Sequence, residues 1–450
     1  MMTDESLSSR DRLPDLVPTG RSTRFPPAPS SPKEAGVESN LLIQLLVKTV
    51  YLAGELTEAS AAQHLKLPYA MVAELFRVLR AEKVCDVQGL TGAGGILHRY
   101  RLTELGMGRA RDYMDVSQYV GAAPVSLAQY DAVVQRQSVL NLRIDRPTLE
   151  KAMGHLVLTP DIMERLGGAV NSAWPIFIWG ESGNGKTVIA EAIGNLLGML
   201  GGAEILFPYA MEVDNQILQM YDPGIHTAVE VLSGSATSTY DARWVLCRRP
   251  TVFTGGELTL QMLDLSFNPI SKYYDAPPQL KASGGVFIID DFGRQKVHPE
   301  DLLNRWIVPL EYRIDYLTLH TGKKFRIPFD SVVVFATNLE PRKLADEAFL
   351  RRMRNKIYIG DPAIETYTEI FRRYCEKRDI RFDLGAIEYL HREYYLKYGV
   401  GLRSCHPRDL IEQILSAARF QGIAPSLDKQ LLDRACEIYF GLEMQEGRKS

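Results

Sequence analysis

The run Ile176-Phe-Ile-Trp-Gly-Glu-Ser-Gly-Asn-Gly-Lys-Thr187 decides how the rest of the chain is read. Its first four residues are apolar and short, as a buried parallel strand requires, and the next eight follow the pattern G-x-x-x-x-G-K-[ST]. Strand, loop and helix therefore arrive in the order that a phosphate cradle needs. Gly180, Gly183 and Gly185 let the loop, with Glu181, Ser182 and Asn184 between them, turn its backbone N–H groups inward on a phosphate. The helix expected over 188–200 adds its positive end. Lys186 is placed to reach the β- and γ-phosphates of ATP, and the Thr187 hydroxyl to hold Mg²⁺.

Working outward, Gly284-Gly-Val-Phe-Ile-Ile289 is a second apolar strand, and it ends in Asp290 and Asp291. Acids at the carboxyl end of a strand beside such a loop bring a carboxylate to Mg²⁺. Asp290 is assigned to the metal and Asp291 to the attacking water; a helix cap or solvated turn is the plainer use of such a pair. A third apolar strand, Ser331 to Ala336, ends in Thr337-Asn338. Asn338 is the candidate there for reaching the γ-phosphate or the water, in competition with a role closing the turn before Pro341.

The chain has 450 residues, 46% of them apolar, which allows two or three domains. Its 52 basic and 55 acidic residues leave a formal charge of −3, so no overall attraction to nucleic acid or acidic membranes is expected. Cys85, Cys247, Cys375, Cys405 and Cys436 form no C-x-x-C pair. Neither a zinc site nor a disulfide framework is indicated, and a cytoplasmic location is the simplest reading. No membrane span is expected, because the most apolar stretch, 190–207, is interrupted by Glu191, Asn195 and Glu204.

The expected organisation is a disordered leader over 1–37 and a winged-helix-like α+β domain over 38–115. A linker over 116–150 leads to an α/β core over 151–360, with a parallel sheet covered by helices on both faces, and an all-α lid over 361–450 follows. Within 38–115, helices are expected at 41–51, 59–65 and 69–82, then a hairpin of strands 84–88 and 96–102 with its turn at 91–95. The third helix carries Arg77, Arg80 and Lys83, yet Glu74 and Glu82 offset two of these charges. A protein-contact module and a DNA-binding module both remain open, the first favoured by the charge balance.

With these strand ends in place, residues 155–425 resemble the AAA+ ATPases, and within them the MoxR-like group. The matching segments are the loop at 180–187, the acidic strand at 286–291 and the strand ending at Asn338. Between the last two, Leu302-Leu-Asn-Arg-Trp306, Leu310-Glu311, Leu317-Thr318, Thr321-Gly322 and Ile327-Pro-Phe329 follow the order of the helix and hairpin that precede that strand in MoxR-like proteins. Ala345 to Met353 resembles the segment bearing the arginine finger, which places Arg352 on a neighbouring subunit's ATP; without the resemblance, Arg351, Arg352, Arg354 and Lys356 read as a basic surface helix. Gly401 to Leu410 resembles the sensor 2 segment, with Arg408 as the phosphate-reading residue and Pro407 at the helix start.

The resemblance implies ATP hydrolysis with Mg²⁺ in a homo-oligomeric ring, hexamer favoured, that remodels or chaperones a protein client. More loosely it extends to bacterial AAA ATPases described as putative chaperones linked to pilus assembly. Two other readings stand beside it: a DNA-directed AAA+ protein, and a nucleotide-gated scaffold with little turnover. The chain departs from the family pattern in having Asp291 where Glu is usual, an insertion within 203–283, and the amino-terminal domain. In such rings, aromatic loops of this region grip polypeptide, which makes Tyr221, Tyr240, Phe267, Tyr273 and Tyr274 candidates against ordinary core packing.

Overall fold

The computed structural model describes residues 25–91, 97–200, 204–230, 240–344 and 347–441. Five strands, β1 (Ile176–Trp179), β2 (Thr251–Thr254), β3 (Val286–Ile289), β4 (Val332–Thr337) and β5 (Asn355–Tyr358), make one parallel sheet ordered β2-β3-β4-β1-β5. β1, β3 and β4 are apolar almost throughout because both faces are covered. Ile176, Ile178, Ile288 and Val334 meet the helix Lys186–Met199 and the helices Arg146–Met153 and Pro160–Ser172 on one face. Phe177, Phe287, Val333 and Phe335 meet Leu302, Leu303, Trp306 and Leu310 of the helix Pro299–Tyr312 on the other. Period-2 alternation along the strands thus assigns the faces. The fold is a parallel α/β sheet with helices on both faces, followed by an all-helical region, Ile364–Lys377, Leu384–Leu390, a π-helical turn His391–Leu396, His406–Gln421 and Lys429–Tyr439.

Two sequence expectations about organisation need correction. Residues 25–37 are not a free leader: Phe25 is buried against Tyr240, and Pro32–Ala35 is a short helix whose Ala35 is buried. Positions 1–24 of that expected leader lie outside the described residues. The stretch 116–150 is not a linker either. Ser126 and Gln129 form a capping box that starts the helix Leu127–Arg136, and Asp145 caps the helix Arg146–Met153. The core that packs on β1 already begins at Val139. The insertion expected within 203–283 is built mainly of strands. Between 205 and 275 the chain contributes to two further sheets: Ile205–Pro208 pairs with Trp244–Cys247 in one, and Ala210–Val213 is hairpinned onto Gln216–Gln219 in the other. Asp214 and Asn215, both at positive φ (54° and 60°), make the tight turn that right-twisted strands favour.

The amino-terminal elements run helix Ser39–Ala53, strand Glu55–Thr57, helices Glu58–Leu65 and Tyr69–Ala81, strands Cys85–Thr91 and Leu97–Leu102, and helix Glu104–Val116. The connecting turn expected at 91–95 lies mostly outside the described residues. These elements share a core with Ala210 and Ile217 of the inserted sheet, and Ala123 N donates to the Leu65 carbonyl. Arg243 is the rivet: wholly buried, it forks onto Asp241 and donates to the Ala35 and Pro124 carbonyls at 2.7 and 2.8 Å. The five aromatics considered for gripping polypeptide pack internally. Tyr274 is buried, Tyr221 stacks on His226, Phe267 stacks on His320, Tyr273 meets Tyr119 edge-on and Tyr240 covers Phe25.

Removing Arg243 leaves Asp241 charged and buried without its partner. Arg243→Ala is expected to destabilise the chain by about 3–5 kcal/mol in urea denaturation. A loss below about 1 kcal/mol contradicts the role given to this pair.

Candidate active site

Because β1 pairs with both β4 and β5, Trp179, Thr337 and Tyr358 lie level, and the loop after β1 opens at the carboxyl edge of the sheet. Gly180 takes φ +143° and passes so close to β5 that a Cβ there would stand 2.1 Å from the Ile359 carbonyl oxygen. Gly183 takes φ +85°, and its missing Cβ would stand 2.7 Å from Cys405 Sγ. Both positions demand glycine for backbone conformation and for space. The helix begins at Lys186, two residues earlier than expected, so its first turn faces the loop.

Lys186 is 7% exposed, and its Nζ donates to the Glu181 carbonyl at 2.8 Å. Burial lowers its pKa, while Asp290, Asp291 and Glu181 pull the other way. A buried ammonium held by a single carbonyl within the loop is a group positioned for an anion. Thr187 Oγ1 donates to Asp290 Oδ2 at 2.8 Å, so a hydroxyl and a carboxylate oxygen converge beside it. Two hard oxygen donors fit Mg²⁺ bound through few protein ligands. Asn338 Nδ2 donates to Asp291 Oδ1 at 3.3 Å. β4 lies between β1 and β3, so Asn338 emerges between the loop and the acids. All of Lys186, Thr187, Asp290, Asp291 and Asn338 are brought together.

The turn after β3 holds this edge in shape, in part through Gln295, which the sequence did not point to. Asp291 sits at φ +48°, a left-handed conformation that Asp adopts more readily than most side chains, which suits Asp at this position. Gln295 Nε2 donates to the Asp290 carbonyl at 2.9 Å and its Oε1 accepts from Gly293 N at 2.7 Å, closing the turn after β3. Thr337 Oγ1 donates to the Phe292 carbonyl, tying β4 to the same turn. Such contacts follow from turn geometry and carry no motif.

The remaining candidates fall elsewhere. The Asn184 side chain turns away from the cradle: buried, it donates to Asp361 Oδ1 at 2.8 Å and accepts from Ser404 N at 3.2 Å. Arg408, expected to read phosphate, instead pairs with its neighbour Asp409 on the helix His406–Gln421 and is half exposed. The lid cation against the loop is Arg403, which lies by Glu181 and Asp361, and Cys405 N donates to the Gly183 carbonyl at 2.8 Å. The chain meets the loop just before the helix that Pro407 and Arg408 open, which is why Arg403 is the arginine beside it. Arg352 lies on the helix Glu347–Arg352, just ahead of β5, and bonds Glu311 at 2.8 Å. It lines a cavity of about 290 Å³ with Trp174, Arg351 and Arg354, the last stacked 3.7 Å above the Trp174 ring. Asn355 pairs with Ile176 at the amino end of β1, a strand length of roughly 13 Å from the loop. Arg352 and its own phosphate cradle thus lie at opposite edges of the sheet.

Among the described residues no helix is long and apolar enough to cross a membrane. A family model described as "Domain of unknown function (DUF8689)" matches residues 363–438, the helical region. No curated protein matches the chain. Among solved structures it is similar to NtrX from Brucella abortus in complex with ADP, at 16% identity and TM-score 0.38 over 67% of this chain and 62% of that one. A RuvB variant from Thermotoga maritima aligns at 13% identity and TM-score 0.36 over 64% of this chain and 71% of that one. Domain III of the replication initiation protein DnaA from Thermotoga maritima aligns at 14% and 0.35 over 67% and 98%. The chain thus spans under two thirds of the NtrX length.

One titration near this edge has a definite sign. His406, buried where the lid meets the loop and accepting or donating with Tyr395 at 2.9 Å, has its pKa lowered by burial to about 4. A folded pKa below the unfolded value of about 6.5 means that stability is fully present above pH 6.5 and is lost as pH falls toward 4. Between pH 7.5 and pH 5 the chain is expected to lose on the order of 2 kcal/mol through this group. Urea midpoints of wild type and His406→Gln check it: the variant should show the shallower fall, and parallel curves contradict the assignment.

Proposed function

We propose that the protein is an AAA+ ATPase that binds and hydrolyses ATP with Mg²⁺ and couples turnover to remodelling a protein client in a ring of identical subunits. The observation that carries this reading is the convergence, at one sheet edge, of Lys186, the Thr187–Asp290 pair and the Asn338–Asp291 pair. Lys186 and the loop amides bind the phosphates. Thr187 and Asp290 would hold Mg²⁺, which when bound would supply positive charge beside the phosphates. Asp291, fixed by Asn338, accepts the proton of the attacking water. The shorter reach of Asp at 291 is matched by its left-handed backbone, which a Glu would adopt less readily.

Arg352 belongs to the neighbouring chain's site, since the sheet itself separates it from its own. Glu311 holds its Nε meanwhile, with Arg351 and Arg354 adding positive charge around the same cavity. A guanidinium delivered there makes turnover depend on assembly. The amino-terminal domain is read as a winged helix that meets protein rather than DNA. Arg77, Arg99 and Arg109 are each paired with a glutamate, Glu74, Glu55 and Glu82, and acidic and basic residues are equal in number over 38–115, so the domain has no net positive charge to offer phosphates. Its shared core with the inserted sheet makes it a fixed platform on the ATPase.

The test is steady-state phosphate release by the full-length chain. Lys186→Ala is expected to abolish nucleotide binding and turnover, while Asp291→Asn keeps binding and loses turnover by about 10²-fold or more. Wild-type specific activity should rise with protein concentration, and Arg352→Ala should remove that rise. Equal background release by wild type and Lys186→Ala overturns the reading. Retarded migration of duplex DNA by the full chain at low salt would favour the DNA-directed alternative.

A further inference from the structure

We propose that Asp361, Asn184 and Arg403 form a clasp that holds the lid on the phosphate loop when no nucleotide is bound, and that polyphosphate opens it by drawing Arg403 away from Asp361. The inference rests on the nucleotide-binding reading above and assigns residues that reading does not use.

The geometry is specific. Asp361 lies in the short segment that joins β5 to the lid helix Ile364–Lys377. Its Oδ1 receives two donors, Asn184 Nδ2 from the phosphate loop and the Arg403 guanidinium from the lid. Asn184 is 4% exposed and satisfied at both ends, its Oδ1 taking Ser404 N. Cys405 N reaches the Gly183 carbonyl at 2.8 Å. Loop, hinge and lid therefore close a ring of polar contacts through one carboxylate. Gly401 permits it, since a Cβ there would stand 2.9 Å from Asp361 Oδ2.

Arg403 is the movable member. Its other nitrogen lies 3.8 Å from Glu181 Oε2, and Glu181 is largely exposed, so both partners are carboxylates at the rim of the cradle. The guanidinium sits within electrostatic reach of Lys186. Two cations facing one loop are each better matched by a polyphosphate than by carboxylates, which carry a single charge each and are partly hydrated. Bound nucleotide thus competes with Asp361 for Arg403. Loss of that pair leaves the hinge acid with Asn184 alone and the lid on the loop through the Ser404 and Cys405 amides only, so that it is freer to follow the nucleotide.

Cys405 reports the clasp. It is the one cysteine of the five that is not buried, and its Sγ lies against Gly183. Two readouts test the proposal on the full-length chain: affinity for a fluorescent ATP analogue with Mg²⁺, and the rate of Cys405 alkylation by iodoacetamide without nucleotide. Arg403→Ala is expected to weaken binding about tenfold, whereas Asp361→Asn, which frees Arg403, is expected to tighten it about threefold or more. Both should speed alkylation severalfold. If Asp361→Asn does not fold, Glu181→Gln removes the second carboxylate of the same guanidinium and carries the same sign. A merely structural role moves both affinities downward, and that result, or no change in either, overturns the clasp. Absence of binding by natively folded wild type overturns the nucleotide reading instead, and Lys186→Ala separates the two cases.

Discussion

Every functional placement in this protein depends on the parallel register of β1 with its neighbours. With Trp179 level with Thr337 on one side and Tyr358 on the other, everything that follows a strand must appear at the same edge. A one-residue slip would turn the side chains of β4 to the opposite face and bury the wrong set. The apolar alternation, Ile176 and Ile178 to one face and Phe177 to the other, prevents the slip by tying register to core packing. Geometry at the phosphate loop is thus inherited from the core, and the close pass of Gly180 to Ile359 records how little room is left.

The same constraint sorts the basic residues. Arg403 and Arg352 are both arginines within reach of a carboxylate, yet one lies at the carboxyl edge of the sheet and the other at the amino edge. On the proposed reading the first answers nucleotide in its own chain and the second the site of a neighbouring chain.

What could be read beforehand followed from local chemistry. The glycine spacing of 180–187, the acids closing the strand at 289 and the polar end of β4 each announce a task because residue type and strand context coincide in a few positions. Long-range satisfaction of polar groups announces nothing. Arg243 looks like any charged residue until Asp241, Ala35 and Pro124 surround it, and Phe25 sits in a proline-rich stretch that composition assigns to disorder. The capping box at Ser126 and Gln129 and the Asp214-Asn215 turn were legible signals, but flanking segments too short to show periodicity concealed them. Arg403 likewise carries no motif: it meets the loop because the chain packs there just before the helix His406–Gln421 begins.

The central claim is that Gly180 to Thr187, with Asp290, makes one Mg²⁺-dependent nucleotide site per chain. Isothermal titration of the full-length protein with a non-hydrolysable ATP analogue, run once with Mg²⁺ and once with excess EDTA, tests it most directly. The account predicts saturation at one equivalent per chain, with affinity falling at least tenfold when the metal is removed. Saturation with no dependence on Mg²⁺, or no saturable heat from a natively folded chain, would contradict it.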